Sequence, residues 1–378
     1  MKKIVSILLF ASLLISVTAV FSGCGGGKYE IVLLTDTGSI TDKGFNQSAW
    51  DSMTEFAVQR NLDCRYFIPQ SAKHEDLASQ LRAAAKEGAT VIFASGKIYE
   101  TALYEVQREY PDIKFVLIDG RPHPQDAQTA EIPVNTTSVM FASEQSGFLA
   151  GYAAVFDGFT SLGFMGSAPD DDVRAYGYGF LQGAEYAAKQ AGSGVNVFYQ
   201  YIKDNEKSDK SKQTAEQMYE DGADVIFVCG DETARSVKEA AADKRSYVIC
   251  ADRDDRYDSG AVLTSAVKGV SSAVNMILRS VYDTKDFEYS FGGKSTYFDA
   301  ANGGAGLASF VYNDKNGDAF DRFYKFSRAD YEEILEKLSS KSIEVKRSIS
   351  VSDPYGAVKA EDLVLELRLE LVNVTVLQ

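Results

Sequence analysis

Two hydrophobic periods take turns along this chain. Short, unbroken apolar runs give way to stretches in which apolar residues recur every three or four positions. The first pair is Ile31–Leu34, a run of the kind a strand buried on both faces shows, and a helical pattern from Asn46 carried by Ala49, Met53, Phe56 and Ala57. The polar loop between them holds Asp36, Asp42 and Phe45. A strand, a loop and a helix in that order place the loop at the carboxyl edge of a parallel sheet, where open α/β folds bind ligands. An aromatic ring and acids there suit a flat, hydroxyl-bearing small molecule. The structural alternative makes Asp42 and Asn46 helix caps and packs Phe45 beneath the helix.

The same alternation predicts strands at Cys64–Ile68, Thr90–Ala94, Lys114–Ile118, Leu162–Met165, Val195–Tyr199, Asp224–Cys229, Tyr247–Cys250 and Ala261–Thr264. Helical patterns fall between them, as at Glu75–Glu87, Glu144–Phe156 and Ser211–Glu220. The pattern predicts parallel sheets covered by helices on both faces.

An internal repeat divides this series in two. Lys86-Glu-Gly-Ala-Thr-Val-Ile-Phe-Ala-Ser-Gly96 matches Glu220-Asp-Gly-Ala-Asp-Val-Ile-Phe-Val-Cys-Gly230 at six of eleven positions. Each copy reads as a helix end, a glycine that stops it, a buried strand and a glycine at the strand's exit. The following strands also correspond, Phe115-Val-Leu-Ile-Asp119 with Tyr247-Val-Ile-Cys-Ala-Asp252, and each ends in an aspartate. Gly44-Phe45 and Ala175-Tyr176 open corresponding helices. One βα module used twice gives two lobes facing across a hinge. Phe45 and Tyr176 are then placed to sandwich a planar ring, and Asp119 and Asp252 to accept hydrogen bonds from a ligand. For either aspartate alone, capping of the next helix is the competing role.

The chain's start belongs to targeting. Lys2 and Lys3 precede the apolar run 4–21, and Ser22-Gly23 stand before Cys24, as in a secretory signal. The small residues before cysteine resemble a bacterial lipobox, which implies cleavage there and a lipid on Cys24. Residues 24–28 then read as a tether. Losing Lys2 and Lys3 takes the formal net charge from −15 to −17, which disfavours nucleic acid and makes neutral ligands more natural than anionic ones. Cys64, Cys229 and Cys250 each lie in an apolar run without CxxC spacing, and they read as buried unpaired thiols. His74 and His123 form no cluster with them, so no metal site is expected.

Together these residues resemble the basic membrane protein family, the purine-nucleoside-binding lipoproteins of ABC transporters. The resemblance rests on Asp36-Thr-Gly-Ser-Ile-Thr-Asp42-Lys-Gly44-Phe45-Asn46-Gln47, Gly147-Phe-Leu-Ala-Gly-Tyr-Ala-Ala154, Val173-Arg-Ala-Tyr176-Gly-Tyr-Gly179-Phe-Leu-Gln-Gly183-Ala184 and Val262-Leu-Thr-Ser-Ala-Val-Lys268. It implies two Rossmann-like lobes joined by a hinge, the clamshell of type I periplasmic binding proteins. Lobe one spans 29–142 with part of 266–300 returning to it, and lobe two spans 143–265 with part of 296–340. It also implies that Asp36, Phe45 and Asn46 line the cleft, that Asp119 meets the base, and that Gly230 admits the ligand to backbone. Asp252 and Lys268 would hold the ribose, and Tyr176 stands where the family usually stacks a phenylalanine. The implied protein is a monomer without cofactors, lipid-anchored on the extracytoplasmic face, that hands a nucleoside to a permease. Physics supports Lys268 separately. A cation at the start of a helix is disfavoured by the helix dipole, so it calls for a partner such as Asp252. Arg253 and Arg256 stand beside the cleft segment.

Tyr331–Leu338 reads as a helix. Beyond it Leu365, Leu367, Leu369 and Leu371 alternate with charged residues as in a strand, and Val372, Val374 and Val376 continue in the opposite phase past a bend. Residues 341–378 are therefore expected to form a C-terminal β extension, pairing with a segment such as Ile343–Val351. Two other function classes remain open: the same clamshell around a sugar or signalling molecule, and a calcium-dependent nucleoside hydrolase. Against the hydrolase, Asp36-Thr-Gly38 lacks the paired aspartates of such enzymes, and a calcium ion wants about 6–8 oxygen ligands.

Overall fold

The computed structural model describes residues 29–41, 44–127, 129–202, 208–309, 317–350 and 358–377. Six strands build the first sheet: β1 (Ile31–Leu34), β2 (Cys64–Phe67), β3 (Val91–Ser95), β4 (Lys114–Ile118), β5 (Thr136–Phe141) and the returning β11 (Lys294–Phe298). They lie parallel in the order β11-β5-β4-β3-β1-β2. The second sheet takes β6 (Ser161–Gly166), β7 (Val195–Tyr201), β8 (Val225–Cys229), β9 (Tyr247–Asp252), β10 (Val262–Lys268), β12 (Ala305–Leu307) and β13 (Val372–Val376). Its order is β12-β10-β9-β8-β6-β7-β13, with only the short β12 antiparallel. The chain crosses between the sheets after Phe141, after Lys268 and after Phe298.

Helices cover both faces of each sheet, so the apolar runs alternate between two cores. In the first lobe Ile31, Leu33, Val91 and Phe93 pack with α1 (Phe45–Arg60) and α8 (Val270–Tyr282). Val32, Leu34, Ile92 and Ala94 pack with α2 (His74–Lys86) and α3 (Glu100–Val106) on the other side. The second lobe repeats the plan. Phe164 and Phe227 face α4 (Ser143–Asp157) and α5 (Asp171–Ala191), while Ile226 and Val248 face α6 (Asp209–Glu220) and α7 (Asp231–Lys244). Burial on both faces is why these strands read as unbroken apolar runs. Cys229 and Cys250 lie in opposite cores of the second lobe as free thiols, and Cys64 is free and half-buried.

The glycine-rich motifs of α4 and α5 have one purpose. A Cβ added at Gly147 would lie 2.2 Å from the Tyr176 carbonyl oxygen, and one at Gly179 would lie 1.9 Å from that of Glu144. Gly151 and Gly183 meet Phe180 and Phe148 in the same way, at 2.0 and 1.9 Å. The helices touch backbone to backbone, which locks the first turn of α5 where it enters the gap between the lobes.

The chain's end departs from the strand reading. After α9 (Phe287–Ser290) and α10 (Arg328–Ser339), residues Ala360–Leu367 form a helix, α11. Leucines two apart also contain an i, i+4 pair. Leu363 and Leu367 turn inward at 0% and 7% exposure while Leu365 points outward at 76%. Leucine is a good helix former, and Glu361 and Asp362 in the first turn suit the dipole. The phase change falls at Arg368, which ends the helix with φ 56° rather than kinking a strand. Among the described residues of this stretch only β13 is a strand. It pairs with β7, Val372 beside Val195, rather than with the described residues 343–350.

Candidate functional site

Loops at the carboxyl ends of both sheets meet in the gap between the lobes, and the duplicated module reappears there in the backbone. Gly96 and Gly230 leave β3 and β8 with φ 88° and 120°, while Asp119 and Asp252 end or follow their strands with φ 60° and 68°. A non-glycine residue held in the left-handed region costs on the order of 1 kcal/mol or more and persists where its surroundings over-determine it.

Those surroundings centre on Lys268, the last residue of β10. Its Nζ lies 2.9 Å from Asp119 Oδ2, 2.8 Å from Asp172 Oδ2 and 3.0 Å from Asp252 Oδ1, and its side chain is 4% exposed. Lys268 therefore has the Asp252 partner expected of it, together with one acid from the other lobe and one from the first turn of α5. Burial works against the ammonium, but the three carboxylates overcome it and raise the Lys268 pKa well above the ordinary lysine range. Burial also pushes the Asp119 carboxyl up to about 6, against the pull of Lys268. At Asp172 the same burial is outweighed by Lys268 and Arg347, which hold the carboxyl well below the usual range. Three acids around one cation leave an excess of acceptors. Asp119 Oδ1 is buried with no hydrogen-bond partner among the described residues, so a donor arriving there would relieve a real cost.

Phe45, Asp252 and Lys268 line one cavity of about 180 Å³ together with Gly44, Ser48 and Arg253. Tyr176 meets the same cluster differently. Its hydroxyl donates to Asp252 Oδ1 at 3.1 Å, while its ring, 1% exposed, packs edge-on against Phe227 in the second core. Two ring faces opposed across one gap are thus not formed here, because α5 is held so tightly on α4 that Tyr176 enters the core. Asp36 and Asn46 bond each other, Nδ2 to Oδ1 at 2.7 Å, and Asp36 also accepts from the Gly38 amide at 2.6 Å. Asn46 is drawn to Asp36, and the helix start at Gly44 receives no side-chain cap. Gly230 sits at the start of α7. Asp42 and Cys24 lie outside the described residues.

Of the two arginines near the cleft, Arg256 is structural: it is buried, paired to Asp254 at 2.6 Å, and donates to the Ala319 carbonyl. Arg253 lines the cavity and pairs with Asp255 at 2.8 Å. The lobes touch where Arg253 reaches Gly44, whose added Cβ would lie 2.9 Å from that of Arg253, and where Lys97 meets Asp170 at 3.3 Å. Burial raises the Cys229 and Cys250 thiols well above their ordinary value, so neither supplies a thiolate near neutral pH.

Two residues of the cluster escape sequence reasoning. Asp172 sits in an Asp170-Asp171-Asp172 run that reads as helix-start acids, and Asp170 does cap α5. Its signal was its place four residues before Tyr176, hence on the same helix face. Arg347 joins the cluster from the C-terminal segment, and nothing in its neighbourhood of sequence announces it.

Comparison with known proteins agrees with this architecture. A chain from Lactococcus lactis described as "ABC transporter nucleoside-binding protein BmpA" is 28% identical over 338 residues, covering 81% of this chain and 91% of that one. "Basic membrane protein D" of Borreliella burgdorferi is 26% identical over 374 residues, covering 97% and 99%. Among solved structures, an ABC transporter solute-binding protein from Aeropyrum pernix shares the fold with a TM-score of 0.63 at 22% identity, over 86% of this chain and 94% of that one. Another from Conexibacter woesei gives 0.64 at 18% identity, over 84% and 99%. Residues 29–349 match the family described as "ABC transporter substrate-binding protein PnrA-like", and with two facing α/β lobes around a shared acidic gap the chain belongs to that family of solute-binding proteins.

Proposed function

We propose that this substrate-binding protein captures a purine nucleoside between its lobes and delivers it to an ABC transporter permease. The observation that carries the reading is the acceptor-rich cluster, above all the unpaired oxygen of buried Asp119. A purine N–H is a donor suited to Asp119, and ribose hydroxyls are donors suited to Asp252, whose side chain is 42% exposed toward the gap. Phe45 offers the base an apolar face in the cavity it shares with Asp252 and Lys268. Tyr176 serves through its hydroxyl by orienting Asp252, and we assign Asp36, Asn46 and the backbone at Gly230 as the ligand's further contacts. The excess of negative charge favours a neutral ligand over a nucleotide.

The cavity beside Phe45 is smaller than the roughly 300–1,000 Å³ usual for ligand pockets. Capture therefore begins with the lobes apart, the contacts Lys97–Asp170 and Lys268–Asp119 broken. Closure re-forms them around the ligand, which favours the closed state through the contacts made only there. Delivery from a membrane surface fits a mature chain lipidated on Cys24 and exposed outside the cytoplasm, and mass measurement of its mature N-terminus tests that part.

Native mass spectrometry of protein purified under non-denaturing conditions, followed by calorimetry with inosine, guanosine, ribose and arabinose, tests the ligand class. Submicromolar binding of a purine nucleoside without release of free base is the expected result. Tight binding of a pentose with no response to nucleosides would transfer the site to sugars, and release of hypoxanthine from inosine would make it an enzyme.

A further inference from the structure

The acids of the gap are ordered from an unexpected direction. Residues 340–350 leave α10 and run outside both sheets. Gln182 on α5 fixes their course through a reciprocal amide pair with the Lys346 backbone, donating to its carbonyl and accepting from its N–H, both at 2.9 Å. Lys346 Nζ in turn donates to the Glu366 carbonyl at the end of α11, at 2.6 Å. With residue 346 pinned on both sides, the next side chain is delivered to the junction of the lobes.

There the Arg347 guanidinium makes three contacts. Nη1 donates to the Phe141 carbonyl at 3.0 Å and to Glu144 Oε2 at 2.8 Å, and Nη2 donates to Asp172 Oδ1 at 2.9 Å. It also lies 5.2 Å from the Tyr297 ring centroid. Phe141 ends β5 and Tyr297 lies on β11, so the group sits where the chain crosses between sheets twice. Asp172 divides its two oxygens: Oδ1 serves Arg347 and the Ser143 hydroxyl, at 2.9 and 3.0 Å, and Oδ2 serves Lys268 at 2.8 Å.

We propose that Arg347 is a positioning residue of the ligand site: by satisfying Asp172 from behind, it keeps the Lys268 ammonium shared between Asp119 and Asp252. Without it, Asp172, whose side chain is 11% exposed, would depend on Lys268 for its charged hydrogen bond, and Glu144, 12% exposed, would lose its ion-pair partner. The ammonium would be drawn toward α5, and Asp119 would lose the partner that keeps it ionised. The other charged groups around Asp172 do not replace Arg347. Lys97, following β3, is half-exposed, pairs with Asp170 at 3.3 Å and acts on Asp172 and Asp119 only through space, and the Tyr176 phenol is kept neutral by burial, so neither supplies the hydrogen bond that Arg347 gives Asp172. The C-terminal segment thereby becomes part of the binding machinery. The inference rests on the nucleoside reading for what the acids bind, although its electrostatic core does not.

The test uses the full mature chain with R347Q and R347K. Carbon-detected titration of the Asp119 carboxyl in ligand-free protein reads the electrostatics, and inosine affinity across pH 5–8 reads the site. R347Q is expected to move the Asp119 midpoint upward by about half a unit or more and to weaken inosine binding near pH 7 by about three- to tenfold. R347K, which keeps the charge but not the planar fork, is expected between R347Q and wild type. A melting temperature that falls while the Asp119 midpoint and the pH profile stay at their wild-type values would reduce Arg347 to a tether and overturn the proposal. If wild type binds no nucleoside yet the Asp119 midpoint responds to R347Q, the nucleoside reading fails and the positioning role stands. Should R347Q not fold, R347K decides alone: an unshifted midpoint refutes.

Discussion

Replacing Lys268 by methionine removes one charge and little volume, and its consequence follows from the three distances around Nζ. At about 3 Å and an effective dielectric near 20, each ammonium–carboxylate pair is worth roughly 5–6 kcal/mol of gross Coulomb attraction. Most of that is offset by the several kcal/mol needed to bring each charge out of water and by repulsion among the acids. Asp252 is partly exposed, so its share is discounted for solvent screening. What survives is the asymmetric cost of leaving buried Asp119 and Asp172 without their cation, about 3–5 kcal/mol. The sign with pH is definite. In K268M the Asp119 carboxyl, already raised by burial, rises further and Asp172 loses the pull that depressed it, so the folded variant takes up protons at higher pH than wild type and the loss is relieved as pH falls. Urea unfolding of K268M against wild type at pH 7.5 and pH 5.5 is the assay. The expected result is a destabilisation of about 3–5 kcal/mol at pH 7.5 that shrinks clearly at pH 5.5. A loss below about 1 kcal/mol, or one that ignores pH, would show that the acids are solvated and the cluster is not the organising centre.

Other outcomes follow from the same geometry. D119N is expected to weaken nucleoside binding by about 10- to 100-fold in calorimetry, the value of a hydrogen bond to a charged acceptor, with an unchanged Kd refuting the contact. Wild-type affinity should fall below about pH 6 as Asp119 takes up its proton and loses the charge that makes it a strong acceptor, by about tenfold at pH 5, and a flat profile would remove Asp119 from the site. G179A forces a methyl against the Glu144 carbonyl, so it should cost at least about 1–3 kcal/mol in chemical denaturation, whereas stability within error would mean α4 and α5 separate freely. L363A should cost about 2–5 kcal/mol and L365A no more than about 0.5, and equal effects would restore a strand in place of α11.

Much of this protein can be read from its residues alone, wherever function and fold use local signals. Unbroken apolar runs mark strands buried on both faces, and the eight strands expected after β1 all exist, with ends that coincide or differ by at most four residues. The repeat around Gly96 and Gly230 located both strand-exit aspartates, because a left-handed backbone at such a point leaves its trace in sequence as a glycine or an aspartate. Lys268 was legible because a cation opening a helix needs an explanation. The misses are equally physical. β5, β11 and β12 carry Thr, Ser, Lys or Gly among their apolar residues, so they show no clear run. Alternate leucines satisfy strand and helix periods at once, and only packing of Leu363 and Leu367 against the second core decides for α11.

What the sequence determined by itself was therefore the two-lobed α/β plan and most of the acids in the gap, since periodicity, repeats and backbone constraints act between near neighbours. The tertiary structure alone decided which acid Lys268 meets from each lobe, that α4 and α5 lock together and turn the Tyr176 ring inward, and that Arg347 arrives from 175 residues beyond Asp172. Those contacts join positions whose separation along the chain carries no local pattern, and they exist only because closing the fold puts buried charges where each must find a partner.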